Sequence, residues 1–507
     1  MSSLTERYDD RIAGVLSCYD RVMVTGTLPG VCFAAGMTQF LNANQIRIFD
    51  YPQFAAPLRD RVRENAEALA LQAGITIEFI AKKHVRKEEV VAKVLERRTE
   101  ELGHPPCGLF HIISAMESCD TYKPWHDKKT HQTALRPAGG KCLNYYFYFM
   151  DAEFGLIHVR VPTWAPFRLQ FYCNGHSWLA RQLTLSGIGF TAADNAFLRI
   201  DDWERAQALA DGFSPEALHR RLDHYAALCC PVMDVFQQTY HWSLMQVEYA
   251  TDIVFRSATT LKPLYEQLTR ESVLSVKADQ IATFLGRQIP PQLAQEIGNQ
   301  FSTRIEGTCI KHRFGKCAIK MYDKFGVVLR IETTANDVSF FKHHRKVEHR
   351  NGPPTWANAP VKKSIYSLVD LRDIMRGCNR RYLAHLSAID DIAAGVRALD
   401  RLTKPKRQKG KTIKGINFFD PRENALLRAL QNPGANIVGL RRADLQALCD
   451  KLKFSPNRLS RQLRRLRDLG IIKRVAGTYR YFLTKIGRAA IAAACHVTQN
   501  NIIPALA

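Results

Sequence analysis

Residues 304–334, RIEGTCIKHRFGKCAIKMYDKFGVVLRIETT, gather the side chains best suited to chemistry on a phosphate. Their apolar alternation predicts a strand ending in Lys320, Met321 and Tyr322, a tight loop at Asp323 to Gly326, and a returning strand with Arg330 and Glu332. A tyrosine hydroxyl can attack a phosphodiester and conserve the bond energy in a covalent ester. The cations Lys320 and Arg330 would favour the phenolate and stabilise the transition-state oxygens. Register decides whether this works. With Tyr322 opposite Val328, the tyrosine, Lys320 and Arg330 share a face; with Tyr322 opposite Val327, it points away from Arg330 and Glu332. The plainer use of the same residues is an aromatic half-buried in a hairpin and a carboxylate that pairs with Arg330.

The run Tyr322-Asp323-Lys324 followed by Leu329-Arg330-Ile331-Glu332 resembles the replication-initiation factors of rolling-circle plasmids and filamentous phages, over some thirty residues. The resemblance implies that Tyr322 is the nucleophile, that Glu332 holds a metal or water, and that Lys320 and Arg330 bind the reacting phosphate. Those factors often hold their metal with two histidines one residue apart, a pattern absent here. His343 and His344 are adjacent, so in a strand they would face opposite ways.

A second cluster, Glu117, Cys119, Asp120, His126, Asp127 and His131, follows a predicted strand at Leu109 to Ser114. Loops beyond the carboxyl ends of strands in an α/β sheet are common places for divalent ions, and acidic residues there could serve phosphodiester cleavage. Glu117, Asp120, His126 and His131 are therefore candidate ligands for Mg²⁺ or Mn²⁺, although Lys128 and Lys129 interrupt them and the spacing matches no standard metal motif. The sequence has no glycine-rich phosphate loop with its lysine, so no nucleotide cofactor is expected. A Gly-x-Ser-x-Gly elbow, a His-Glu-x-x-His helix and a Cys-x-x-Cys pair are also missing.

The elements that must position these groups predict a multidomain α/β and α+β chain. In residues 20–115, apolar runs at Arg21 to Thr25, Ile46 to Phe49, Ile75 to Ile80 and Leu109 to Ser114 read as strands. Helical periodicity at Met37 to Asn44, Pro52 to Ala73 and Lys87 to Glu100 lies between them. Strands separated by single helices imply a parallel, covered sheet, so residues 1–140 read as an α/β domain. Residues 141–400 read as mixed α+β, with antiparallel strand groups at 142–200 and 304–334 and helices at Trp178 to Ser186, Pro215 to Cys229 and Thr260 to Val276; Tyr240 to Phe255 fits helix or strand. Aromatics interleaved with bases, Tyr145 to Phe149, Trp164, Phe167, Arg168, Phe171 and Tyr172, suit sheet packing first and base stacking second.

Residues 401–416 carry Arg401, Lys404, Lys406, Arg407, Lys409, Lys411 and Lys414 with no acid, and Pro405 and Gly410 break any helix, so they read as a basic linker. Beyond it, Asp420, Pro421 and Glu423 start one helix, which Pro433 and Gly434 stop. Leu440 to Leu452 forms a second, and after a turn through Phe454, Ser455 and Pro456 cap a third. On the third, Leu459, Leu463, Leu466 and Gly470 fall on one face; Asn457, Arg458, Arg461, Arg464 and Arg465 fall on the other. Ile471 to Arg474, a turn at Ala476 and Gly477, and Tyr479 to Leu483 make a hairpin, and a last helix begins at Lys485. This order over residues 417–494 resembles the winged helix-turn-helix of MarR-type regulators, with residues 495–507 as a tail. The resemblance implies that the third helix enters the major groove of duplex DNA, with Asn457, Arg458, Arg461, Gln462, Arg464 and Arg465 at base or phosphate contacts and Arg474 and Arg480 of the wing in the minor groove.

Composition agrees with a polyanionic partner. The chain has 507 residues and a net charge of +24, an excess that concentrates nucleic acid around it. Duplex DNA is the expected partner, with single-stranded DNA or structured RNA as further candidates and oligomerisation open. No run approaches the ~18 apolar residues of a spanning helix, so no membrane partner is expected. The polar N-terminus is unlike a signal peptide, and thirteen scattered cysteines fit a reducing cytoplasm. The expected function is DNA binding for a mobile or replicating element, with the winged helix choosing the site and the upstream domains processing a strand by tyrosine-dependent nicking. The rival is a non-enzymatic winged-helix regulator whose N-terminal domains sense a ligand or oligomerise.

Overall fold

The computed structural model describes residues 4–82, 84–287, 300–306, 308–390, 401–408, 410–418, 420–430, 439–449, 455–475 and 477–497. The chain is mixed α/β with a large mixed sheet. It divides into two compact units, one of residues 16–250 with 334–374 and the other of 1–15, 251–333 and 375–507. The expected boundary at 140/141 is not observed. It would cut the strand Gln132–Asp151, which pairs with the strand Gly108–Asp127 from Gln132 to Met150. Strands are numbered along the chain.

In the first unit, β1 (Ile12–Thr27), β2 (Ile77–Phe79), β3 (Gly108–Asp127), β4 (Gln132–Asp151), β5 (Gly155–Pro162) and β6 (Leu169–Cys173) lie in the order β1-β6-β5-β4-β3-β2. The expected parallel sheet is corrected here. Only β2 with β3 is parallel among these pairs; β3–β4, β4–β5, β5–β6 and β6–β1 are antiparallel. Ile46 to Phe49 makes no strand: the chain turns through a short 3-10 helix, Ile48–Asp50, that buries Ile48 and leads straight into the helix Tyr51–Gln72. Proline at the second position of that helix is tolerated because its missing N–H would have had no intrahelical acceptor.

The helices Ala34–Ala43, Lys87–Leu102, Gly175–Leu185 and Pro215–Cys229 stand close to where periodicity puts them. Tyr240 to Phe255 resolves as a strand, β9 (His241–Phe255), whose last nine residues are all buried. The aromatics of β4 and β6 go to the core: Tyr145, Phe147, Tyr148, Phe149 and Phe171 are all buried, as is Phe167. Two separate hairpins complete the unit, β7 (Phe190–Ala193) with β8 (Ala196–Ile200), and β14 (Lys342–His349) with β15 (Gly352–Pro360).

The second unit contains β10 (Phe301–Glu306), β11 (Cys309–Phe314), β12 (Cys317–Lys324) and β13 (Val328–Ala335) in consecutive order. It also holds the C-terminal elements: helices Pro421–Leu430, Arg442–Cys449 and Pro456–Asp468, the hairpin β18 (Ile472–Arg474) with β19 (Tyr481–Leu483), and the helix Lys485–Val497. Leu426, Leu445, Leu459, Leu463, Leu466, Ile472 and Ile491 form one buried cluster among them. The stop signals Pro433 and Gly434, the turn at Phe454, and tail residues 498–507 lie outside the described residues.

Residues 401–416 are not a free linker. They fold back as a short hairpin, β16 (Lys406–Gln408) with β17 (Lys411–Ile413), turning at Gly410 with φ 72°. Leu402 and Ile416 anchor its ends in the same apolar cluster, which charge counting alone could not reveal. Lys277, buried, donates from Nζ to the Leu483 carbonyl at 2.7 Å, and burial pushes its ammonium down to about 7. No helix among the described residues is long and apolar enough to cross a membrane.

Candidate functional site

The β12–β13 hairpin turns through Phe325 and Gly326, both at positive φ (57° and 74°). Of the two, only glycine reaches that region without a Cβ penalty. The side-chain bonds put Lys320, Tyr322, Arg330 and Glu332 on one face, the arrangement that the first of the two registers requires. Lys320 Nζ donates to Glu332 Oε1 at 2.6 Å, and the Tyr322 hydroxyl donates to Glu332 Oε2 in a short bond. The Arg330 guanidinium lies 6.0 Å from the centre of the Tyr322 ring. Lys320 and Tyr322 thus both donate to the one carboxylate of Glu332.

Arg330 has a different position from the expected phosphate clamp. It is 0% exposed and forks onto Asp252 of β9, Nε to Oδ1 at 2.6 Å and Nη2 to Oδ2 at 2.7 Å. Breaking such a buried pair from one side leaves a desolvated charge behind. Arg330→Met is therefore expected to cost about 3–5 kcal/mol in chemical denaturation, and Arg330→Met with Asp252→Asn should recover most of that stability. In the same unit, Thr333 donates to Asn379, which donates to Thr251.

The other unit holds a buried acidic site of its own on β1 and β9. Asp20 accepts from Asn195 Nδ2 at 2.5 Å and from Asn174 Nδ2 at 3.3 Å, and lies 3.2 Å from His176 Nδ1. Local sequence explains the convergence. Asn174 caps the helix Gly175–Leu185 by accepting from the His176 and Ser177 amides, which turns its amide group and His176 toward β1. Gly175 permits the approach, since a Cβ there would lie 2.2 Å from the Tyr19 carbonyl oxygen.

Glu248, also buried, accepts from Gln246 at 3.1 Å and from Thr334 at 3.3 Å and lies 3.6 Å from Arg21. Carboxylate oxygens of Asp20 and Glu248 come within 4.8 Å of one another. Two buried acids so close repel unless cations or donors share them, which is how sites for divalent metals are built. Glu332 stands two residues before Thr334 on β13 and so shares its face of that strand.

The strand that carries the expected cluster at Glu117 to His131 sets Glu117 and Asp120 apart from one another and from His126, while the His126 and His131 rings stay 6.4 Å apart. Instead of ending at Ser114, β3 continues to Asp127 because β4 pairs with it throughout, Glu117 opposite Cys142, Asp120 opposite Gly139 and His126 opposite Thr133. Alternation puts Glu117 on the face opposite Asp120 and His126, and these last two are six residues apart along an extended strand, about 20 Å. Glu117 is occupied by Lys87 at 2.7 Å, Arg160 at 3.1 Å and the Tyr146 hydroxyl. Burial would raise its carboxyl, but those hydrogen bonds and charges outweigh it and hold it below the usual range. Asp120 pairs with Arg168, His126 bonds Thr133, and His131 sits at the hairpin turn with φ 55°.

On the helix Pro456–Asp468, Ser455 caps the start, Leu459, Leu463 and Leu466 are buried, and Asn457, Arg458, Arg461 and Arg464 are exposed. Arg465 faces inward: it pairs with Glu423 at 2.7 Å, contacts Gln462, and donates to the carbonyls of Lys414 and Gly415. In the hairpin, Arg474 is exposed and lies over the exposed Tyr479 ring at 4.8 Å, while Arg480 is half-buried.

Asp20, Asn174, His176, Asn195 and Glu248 do not stand out in the sequence. An acid inside an otherwise apolar strand, as in the runs CYDRVMV and QVEYATDIVF, and the Asn-Gly pair before a helix were the available signals. No protein-family model, curated protein or solved structure matches this chain.

Proposed function

We propose that this chain is a DNA-binding protein of a mobile or replicating genetic element, which grips duplex DNA through residues 421–497 and processes a strand through Tyr322. The described elements of 421–497 follow the order helix, helix, helix, hairpin, helix, which is that expected of a winged helix-turn-helix. The observation that carries the duplex reading is the helix Pro456–Asp468. Its three leucines pack inward while Asn457, Arg458, Arg461 and Arg464 form an outward polar row with no acid on it. A major groove accepts such a helix, arginine reading guanine and asparagine reading adenine.

The test is duplex affinity of the full chain. Arg458→Ala with Arg461→Ala should weaken binding by ~1–3 kcal/mol for each base-reading arginine removed and relax sequence choice. Affinity should fall steeply with salt because bound cations release condensed counterions. Arg465→Ala should instead lower stability, given its bonds to Glu423 and the 414–415 backbone. Salt-independent binding, or a double variant that binds like wild type, sinks the groove-docking reading.

For the strand-processing step, the proposed roles are Tyr322 as nucleophile, Glu332 as proton acceptor and Lys320 as the cation that positions Glu332. Asp20 and Glu248, rather than Glu117, Asp120, His126 and His131, are the residues that would hold Mg²⁺ or Mn²⁺, with His176 and Asn174 behind Asp20. One observation favours a non-enzymatic regulator with sensing or oligomerising domains: Arg330 is locked onto Asp252, so the hairpin retains fewer cations for a phosphate than its sequence promised.

A further inference from the structure

We propose that the exposed face of the β14–β15 ribbon is a binding site for a single strand of nucleic acid, with an unpaired base stacked on Trp356 and the backbone held by Lys342 and Lys346. In this ribbon Lys346 stands directly opposite Trp356, and His344 opposite Asn358. Side chains alternate across the two strands, so Lys342, His344, Lys346, Trp356 and Asn358 share one face, and all five are exposed. The other face is the inward one. His343 approaches Asp370 at 3.6 Å, Arg345 donates to the Pro360 carbonyl at 3.0 Å, and Val347 is half-buried.

Trp356 is 67% exposed, and the His344 ring lies alongside it at 5.5 Å between centroids and 16° between planes. An indole left in water costs apolar surface, and the stacked imidazole fixes its orientation without covering it. The result is a flat aromatic platform. Charge selects its occupant: the ribbon carries Lys342, Arg345, Lys346 and Arg350 against Glu348 alone. A polyanion with flat, stackable faces fits both features, since every base has a π-face and every linkage a phosphate. An acidic peptide would satisfy the lysines but not the platform. A duplex would keep its bases stacked on one another and out of the indole's reach. The site is separate from the helix Pro456–Asp468 and does not rest on the duplex reading.

The experiment uses the full chain with twelve-nucleotide oligo-dT, oligo-rU and a duplex of the same length, read by fluorescence anisotropy. Trp356→Ala should weaken single-strand binding by roughly ten-fold, the usual effect of removing one base stack, and leave duplex binding unchanged. Trp356→Phe should retain most of the affinity, because the smaller ring still stacks. Lys342→Ala with Lys346→Ala should reduce the slope of log affinity against log salt by about 0.7 for each phosphate no longer neutralised. Binding of oligo-dT but not oligo-rU identifies the strand as DNA, the reverse as RNA, and either supports the site. Single-strand binding without duplex binding also supports it, while removing the proposal for 421–497. The site is overturned if wild type binds neither strand, if Trp356→Ala binds like wild type, if Trp356→Phe is as impaired as Trp356→Ala, or if polyglutamate competes as well as the oligonucleotides.

Discussion

Tyr322→Phe should eliminate any covalent protein–DNA adduct while fold and duplex affinity remain those of wild type. The substitution keeps the ring and its position near Arg330 and removes only the oxygen that donates to Glu332. A free tyrosine, with a pKa of ~10, is a poor nucleophile at neutral pH. A carboxylate already accepting its proton removes that handicap as the phenolic oxygen attacks phosphorus and the deoxyribose oxygen leaves with a proton from solvent. Glu332→Gln keeps the shape but cannot take the proton, so the rate should fall by about 10²–10⁴, the usual range for a general base. Lys320→Met should cost less than Glu332→Gln, because Lys320 acts through Glu332, at 2.6 Å, and not on the tyrosine. The assay is retention of labelled single-stranded or supercoiled DNA on denatured protein, with Mg²⁺ or Mn²⁺ present. An adduct that persists in Tyr322→Phe rules out this nucleophile. No adduct and no cleavage by wild type in any condition would leave the regulator.

The hairpin was legible because its signals are local: alternation, a Phe-Gly turn and polar residues at even spacing. Its chemistry was less so. Nothing within residues 304–334 indicates that Arg330 meets Asp252, which lies 78 positions earlier in the chain. The C-terminal helices were legible for a similar reason. Ser455-Pro456 and the Leu459, Leu463, Leu466 stripe define a start and an inner face without tertiary context, but the inward turn of Arg465 depends on Glu423, 42 positions away. Periodicity failed where pairing decides. Residues 116–127 alternate weakly and read as a loop, yet they extend β3 because β4 supplies a partner at every position. The parallel sheet was inferred from strands separated by helices, and the strands that fill the sheet, β4 to β6, come from the next stretch of chain. Asp20 fell just outside the strand expected at Arg21 to Thr25. In the structure that strand starts at Ile12 and places the carboxylate in its buried middle.

Asp20→Asn and Glu248→Gln should each abolish binding of a divalent cation without unfolding the protein. Carboxylates buried within 4.8 Å of each other lower each other's tolerance for charge, and a neutral amide in place of either would relieve that repulsion. A site kept for a ligand therefore gives a definite sign: without metal, either variant should melt at or above the wild-type temperature, and wild type alone should gain stability when Mn²⁺ is added. A purely structural role gives the opposite sign. In that case Asp20→Asn removes the charge that strengthens the contacts from His176, Asn174 and Asn195 and lowers the melting temperature, with no response to Mn²⁺. His176→Ala separates ligand from support. Losing a group that orients a ligand costs about 10–100-fold in metal affinity, so this variant should bind weakly where Asp20→Asn does not bind. Free Mn²⁺ followed by electron paramagnetic resonance reads binding without any need for activity. Wild type that leaves Mn²⁺ free, or Asp20→Asn that binds it as tightly as wild type, would refute the metal site and leave the acids of β1 and β9 as core polar groups.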